Sequence, residues 1–409
     1  MEIGLKKEKK WWKKEKFYIN NSKFFYQLCT LPIMPKESFE QFVKRQKEKL
    51  EKAEKIVEEV KEKWKEKIEE FEMVEKPVKK LRKLWEENEK EAKPKEAEEA
   101  FSETFSFFLS LPFPEVPPFL LEKISNKFLK EFDWEKFKER IYVETDLGLF
   151  LSAFLKKNIE NYILSQKKKG IEEEKIKSIE VHLDVKELPI FLACLGYQNP
   201  KKLHLIIEGN CGNKIGKEMR GGEIIVKGNC GSFTGEGMQG GEIVVEGNCR
   251  THVGASMKGG KIVGEGDCGC YVGVLMKGGE IIVKGNCEDY TGYGMRSGEI
   301  VVEGNCRRSV GASMKGGKIV VEGSCGDKVG EFMKDGEIIV KGNCESQVGD
   351  EMEGGVLILE GKVKSFDTSA FSSDNEGTII WKNIKIWENG NWTEEGKEMK
   401  EKREIPIEE

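Results

Sequence analysis

Histidine is nearly absent: the 409 residues hold three, at 182, 204 and 252, without the spacing that would bring them onto one metal ion. No run of 18 apolar residues occurs, so no membrane-spanning helix is expected. The opening stretch "MEIGLKKEKKWWKKEKF" lacks the apolar core of a secretory signal, and a cytoplasmic protein is expected. Neither sign of charge dominates: 68 Lys and Arg against 73 Asp and Glu leave a net −5. That balance implies no nucleic-acid partner. The lysines around Trp11 and Trp12 read as a solvated tail, with a membrane-surface or nucleic-acid contact as the second reading. Eleven cysteines without a secretion signal argue against a disulfide framework. Glutamine is scarce while Lys and Glu abound, the bias of proteins from hot environments. A phosphate loop of the Lys-Ser/Thr type and a nucleophile elbow are both missing.

Glycine is sparse up to about residue 205 and recurs every few residues after it. The chain therefore reads as α + β and multidomain. Residues 1–35 form a basic tail, and 36–100 a charged helical hairpin or coiled coil. Residues 201–366 form a β-solenoid, with 101–200 a mostly helical domain packed on it. Residues 367–409 form C-terminal strands and a charged tail. Within the hairpin, Val43, Leu50, Val57, Trp64 and Phe71 fall on a heptad over 36–72, and a second helix is expected over 78–92. Helices are expected over 119–140 and 146–166, a strand over 176–185 and a short buried helix over 186–197.

From residue 211 one pattern repeats eight times with a period of 19. Cysteine recurs from Cys211 through Cys230, Cys249, Cys268, Cys287, Cys306 and Cys325 to Cys344. Methionine keeps the same spacing from Met219 through Met257 and Met314 to Met352. Gly216, Gly222, Ile224 and Gly228 start further columns. Such glycine density opposes helix, and short β runs such as "EIIVKGN" between glycine bends predict a parallel β-solenoid. One repeat per coil is preferred, with a larger coil as the alternative. The recurrence of near-identical copies after 57 residues, as in "GNCRTHVGASMKGGKIVGE" and "GNCRRSVGASMKGGKIVVE", reads as duplication of a three-repeat block.

Strand alternation sends Ile224 and Val226 inward, joined by the Met and Cys files, and Ile225 outward. The outward position is nevertheless aliphatic in all eight copies: Ile225, Val244, Val263, Ile282, Val301, Val320, Ile339 and Ile358. A stripe of that length predicts a contact surface, covered either by this chain's own helices or by a partner. The evenly spaced cysteines have no convergent geometry for zinc or an iron–sulfur cluster and read as small buried hydrophobes. No catalytic, cofactor-binding or metal-binding residue and no cofactor is expected.

Gly216, Met219, Gly222, Ile224, Val226 and Gly228, with their copies to Gly361, resemble the glycine-repeat (GXGXG) domain at the C-terminus of the glutamate synthase large subunit. They also resemble the glycine-repeat subunit of formylmethanofuran dehydrogenase. The likeness covers about 205–361 and implies a right-handed parallel β-helix acting as a scaffold. It brings no catalytic residue: the amidotransferase of that family uses a cysteine at a processed N-terminus, and the first cysteine here is Cys29, within "YQLCTLP". The expectation is a non-catalytic scaffold or accessory subunit of an oxidoreductase assembly, with other subunits as partners or self-association through the helical arm. The alternatives are a stand-alone interaction protein, or an enzyme with a site at the junction of the two halves.

Overall fold

The structure, a computed structural model, describes residues 55, 71–88, 98–137 and 143–408. The chain divides into two compact units, Met1–Phe71 and Glu72–Glu409, and the second holds nearly all of the described residues. The expected basic tail, nearly all of the 36–72 helix and Cys29 lie outside the described residues.

Among the described residues, five α-helices precede the sheet: α1 (Lys76–Asn88), α2 (Glu98–Ser110), α3 (Leu121–Lys130), α4 (Trp134–Phe137) and α5 (Val143–Lys168). Their shared core is aromatic. Trp85 meets Phe150 edge-on at 5.4 Å, and Phe113 packs on Phe150 and Phe154 at 5.1 and 5.7 Å. The helix expected over 119–140 is broken, because the Asp133 carboxylate accepts a hydrogen bond from the Lys136 backbone N–H and starts a separate helix.

The strands are β1 (Ile179–Asp184), β2 (Leu203–Glu208), β3 (Glu223–Val226), β4 (Glu242–Val245), β5 (Lys261–Gly264), β6 (Lys277–Val283) and β7 (Ser297–Val302). They continue as β8 (Lys315–Val321), β9 (Asp335–Val340), β10 (Val356–Leu359), β11 (Thr378–Trp381), β12 (Ile384–Glu388) and β13 (Asn391–Trp392). Strands β1 to β11 pair in chain order, every neighbour parallel. Ile224 stands beside Ile243, and Ile243 beside Ile262, so each coil holds one 19-residue repeat. The helical N-terminal region followed by a parallel β-solenoid is the architecture the composition implied. Each repeat buries an Ile or Leu, a Met, a Cys and usually a further aliphatic residue, the aliphatic and Met side chains stabilising by about 1.5–3 kcal/mol apiece. The glycines permit the tight corners: Gly254 sits at φ +65°, and a Cβ there would lie 2.4 Å from Ile281 Cδ1.

The short helix expected over 186–197 does not form. Pro189 disfavours helix in the residue before it, and Cys194 and Gln198 lie at φ 57° and 50°. This segment is instead a first coil. Cys194 N–H donates to Asn213 O, Gly212 N–H to Leu192 O and Gly216 N–H to Leu195 O, each at 2.9 Å.

Both ends of the sheet are covered. On β1, Asn126 of α3 donates to His182 O at 2.7 Å and accepts from Asp184 N–H at 2.9 Å, mimicking a neighbouring strand. Helix α5 seats on the first coil, where Ser152 Oγ donates to Cys194 O and accepts from Gly196 N–H. At the far end β12 pairs antiparallel with β11, followed by β13 and α6 (Glu394–Glu401).

Candidate functional site

The outer face of the sheet is the first candidate. In each strand from β3 to β10 the two core positions are buried, while the central outward residue is half-buried. Ile225, Val244, Val263, Ile282, Val301, Val320, Ile339 and Ile358 stand side by side in register. Ile206 of β2 and Ile380 of β11 prolong the file in both directions. Helices α3 and α5 pack on the first coil and leave the stripe half-exposed along its length.

Charged side chains border the stripe. On one side Lys261 pairs with Glu280 at 3.1 Å and Lys318 with Glu337 at 3.5 Å. On the other, Lys227 pairs with Glu208 at 2.8 Å, Lys284 with Glu265 at 2.7 Å and Lys341 with Glu322 at 2.8 Å. In this second set the Lys gains a hydrogen bond to carboxylate, which raises Lys227, Lys284 and Lys341 above the ordinary amine range.

A second surface is the corner beyond each strand. The cysteines from Cys230 to Cys344 bridge to one another in parallel and are buried free thiols. The thiols of Cys230, Cys249 and Cys268 each donate toward the preceding sulfur, which favours the protonated form and, joined by burial, holds them well above the ordinary thiol range. Burial pushes Cys194 of the first coil up to about 12. Beside the thiols runs an amide ladder in which Asn229 Oδ1 accepts from Asn248 N–H at 2.8 Å and Asn286 Oδ1 from Asn305 N–H at 2.9 Å. Over this corner lies a groove in two stretches, of about 650 and 730 Å³, which share Asn248, Cys249 and Arg250. Its walls carry Arg250, Glu288 and Arg307, and Phe191 stands at one end.

The third surface is a file of rings that composition does not reveal. Phe233, His252, Tyr271 and Tyr290, 19 residues apart, stack at 4.5, 4.9 and 5.0 Å. All four sit at positive φ on one corner of successive coils. The stacking occupies the ring faces, and Tyr293 meets Tyr271 and Tyr290 nearly perpendicular at 6.5 and 5.9 Å, so the file works first as a spine along the corner. Burial lowers His252, which keeps its ring neutral near pH 7. Toward one end Lys217 pairs with Glu236 at 3.0 Å, and toward the other Lys328 bridges Glu331 and Asp350 at 2.9 and 2.7 Å.

The repeat residues singled out from the sequence thus occupy different layers. Met219, Met257 and Met314 lie in the interior; Cys230, Cys249 and Cys287 are buried beneath the groove, and Cys306 and Cys344 are buried further along the same file. Gly216 and Gly222 take φ of +65° and +71°, whereas Gly228 stays outside the left-handed region and closes on Gly209 O. Among the described residues, no group of three or more His, Cys, Asp or Glu side chains is placed to hold a metal ion. No described helix is long and apolar enough to cross a membrane.

Residues 245–399 match the family model of the GXGXG motif. The matched span starts at the end of β4 and runs past the last 19-residue repeat into the strands and helix that close the far end. No curated protein matches the chain.

Proposed function

With residues 245–399 matching the GXGXG motif family, we propose that the protein is a non-catalytic scaffold or accessory subunit of a cytoplasmic oxidoreductase assembly of the glutamate synthase or formylmethanofuran dehydrogenase type. The observation that carries this reading is the outer stripe. A row of aliphatic side chains, in register on successive strands and edged by ion pairs, is surface that water solvates poorly and another protein solvates well. The recurring chemistry of the coil serves its own architecture: thiols fill the corner, amides tie coil to coil, and rings stack along the axis. Function then rests on what the rigid rod presents, which is the role of a scaffold.

The test is purification of the native protein from its source under gentle conditions, with identification of every stoichiometric companion. Flavin- or iron–sulfur-bearing subunits travelling with it support the assembly. A protein that emerges without redox subunits supports the second reading, a stand-alone interaction protein, which the length of the half-buried aliphatic stripe also favours.

A further inference from the structure

We propose that the outer stripe is the interface of a homodimer, in which two solenoids pack sheet to sheet and parallel about a two-fold axis running along the stripe. The proposal rests on reading the stripe as a contact surface, and it names a second copy of this chain as the occupant.

The distribution of charge across each strand points to that occupant. The stripe residue is flanked two positions earlier by a strand side chain on the same face and two positions later by the residue just past the strand's end, whose side chain borders the stripe. In β3 these are Glu223 and Lys227, in β5 Lys261 and Glu265, and in β6 Glu280 and Lys284. In β8 they are Lys318 and Glu322, and in β9 Glu337 and Lys341. Five of the seven strands from β3 to β9 therefore carry opposite charges at the two edges of the stripe; β4 (Glu242, Glu246) and β7 (Glu299, Glu303) carry like charges. A two-fold axis along the stripe lays each strand across its own copy in reverse direction. Glu223 then faces Lys227 of the second copy, and Lys227 faces its Glu223. The same exchange repeats at β5, β6, β8 and β9, so five strands are complementary to their own copies in this orientation, against two, β4 and β7, where Glu meets Glu.

The geometry also suits a dimer. The stripe residues pair in register with one another from β3 to β10, so on a two-fold along the stripe each can meet its own copy. From Ile206 to Ile380 the file spans ten strands about 4.8 Å apart, roughly 45 Å, and the outward face of each strand is about 16 Å wide. The product, about 700 Å² per copy, is close to the roughly 800 Å² per partner of a stable interface. The aliphatic residues would form its dry centre and the charged edges its rim.

The experiment uses the full chain. Sedimentation equilibrium should give a dimer for the wild type and a monomer for Val301→Asp, with unchanged far-UV circular dichroism because Val301 points away from the core. Val244→Lys, three coils away, should have the same effect. Orientation is read with a short bis-maleimide on variants that each add one stripe cysteine to a Cys29→Ser, Cys270→Ser background, in which the nine remaining cysteines are buried. On a parallel two-fold every stripe residue faces its own copy, so Val244→Cys and Ile339→Cys should both cross-link to themselves. A monomeric wild type, or a Val301→Asp dimer, overturns the proposal. Self-cross-linking at Ile282→Cys alone also overturns it, since only an antiparallel pair behaves so. If the wild type is monomeric and Val301→Asp loses companion subunits of other sequence, the homodimer fails while the scaffold reading stands.

Discussion

The backbone of Gly148 in α5 lies so near Ala193 that a Cβ on the glycine would sit 1.7 Å from the Ala193 carbonyl oxygen. That contact is where the helical layer meets the first coil, and the atom in the way is backbone, which does not rotate aside. Gly148→Ala is therefore expected to push α5 off the coil, at an overpacking cost of about 1–3 kcal/mol or more. Calorimetry of the variant should show a lowered or split transition, because the solenoid interior is untouched. An unchanged single transition would mean that α5 shifts freely on the coil.

The solenoid was legible in the sequence because its constraints are periodic. A corner that demands glycine and a hole that fits methionine write themselves into the chain every 19 residues. Alternation within "EIIVK" then separates Ile224 from Ile225. The first coil escapes because it carries the geometry without the signature: Cys194 occupies a left-handed corner, but no Met and no Gly-Gly pair come after it at the repeat spacing. Its apolar run "IFLACLGY" reads equally as a buried helix, and only the hydrogen bonds to the next coil decide otherwise. The aromatic file is visible as spacing at 233, 252, 271 and 290, yet it sits in a column that holds Lys214 and Ser309 elsewhere, so the repeat consensus hides it. Helix α3 covers the open edge of β1 and not the stripe, because unpaired backbone groups need partners more urgently than aliphatic side chains need shelter.

The amide ladder should contribute through its hydrogen bonds and not through its residue type. Asn286→Ala removes the acceptor for Asn305 N–H and should lower stability by about 1 kcal/mol, read from the urea midpoint. Asn286→Ser should recover most of that loss, because Ser324 already accepts from Asn343 N–H at 3.0 Å in its own coil. Equal losses in the two variants would assign the effect to packing.

The thiols of the repeat should be inert in the folded protein. Cys287 and its neighbours are buried, so a reagent in solution does not reach their sulfurs. Cys270 is only half-buried, and its thiol donates to Glu288 Oε2 at 3.2 Å. Labelling with a small maleimide, mapped by mass spectrometry, should therefore mark Cys270 slowly and the file not at all until denaturant is added. Rapid native labelling of Cys287 would show that the corner opens.

Acid should cost stability at the first coils through Glu208. Its carboxylate accepts hydrogen bonds from Lys227 at 2.8 Å and Lys186 at 2.9 Å, and together they draw its pKa down to about 2. In the unfolded chain a glutamate titrates near about 4.3. The folded value is the lower one, so the stabilisation is fully present above the unfolded pKa. It is lost progressively as the pH falls from there toward about 2. Glu208→Gln keeps the shape and abolishes the charge. The variant should be less stable than the wild type at pH 7, with the gap narrowing through that acid window. Added salt should shrink the gap at neutral pH, since the pairs are on the surface. A gap that is the same at pH 7 and at pH 2 would mean that Glu208 acts by packing alone and that its two lysines contribute nothing through charge.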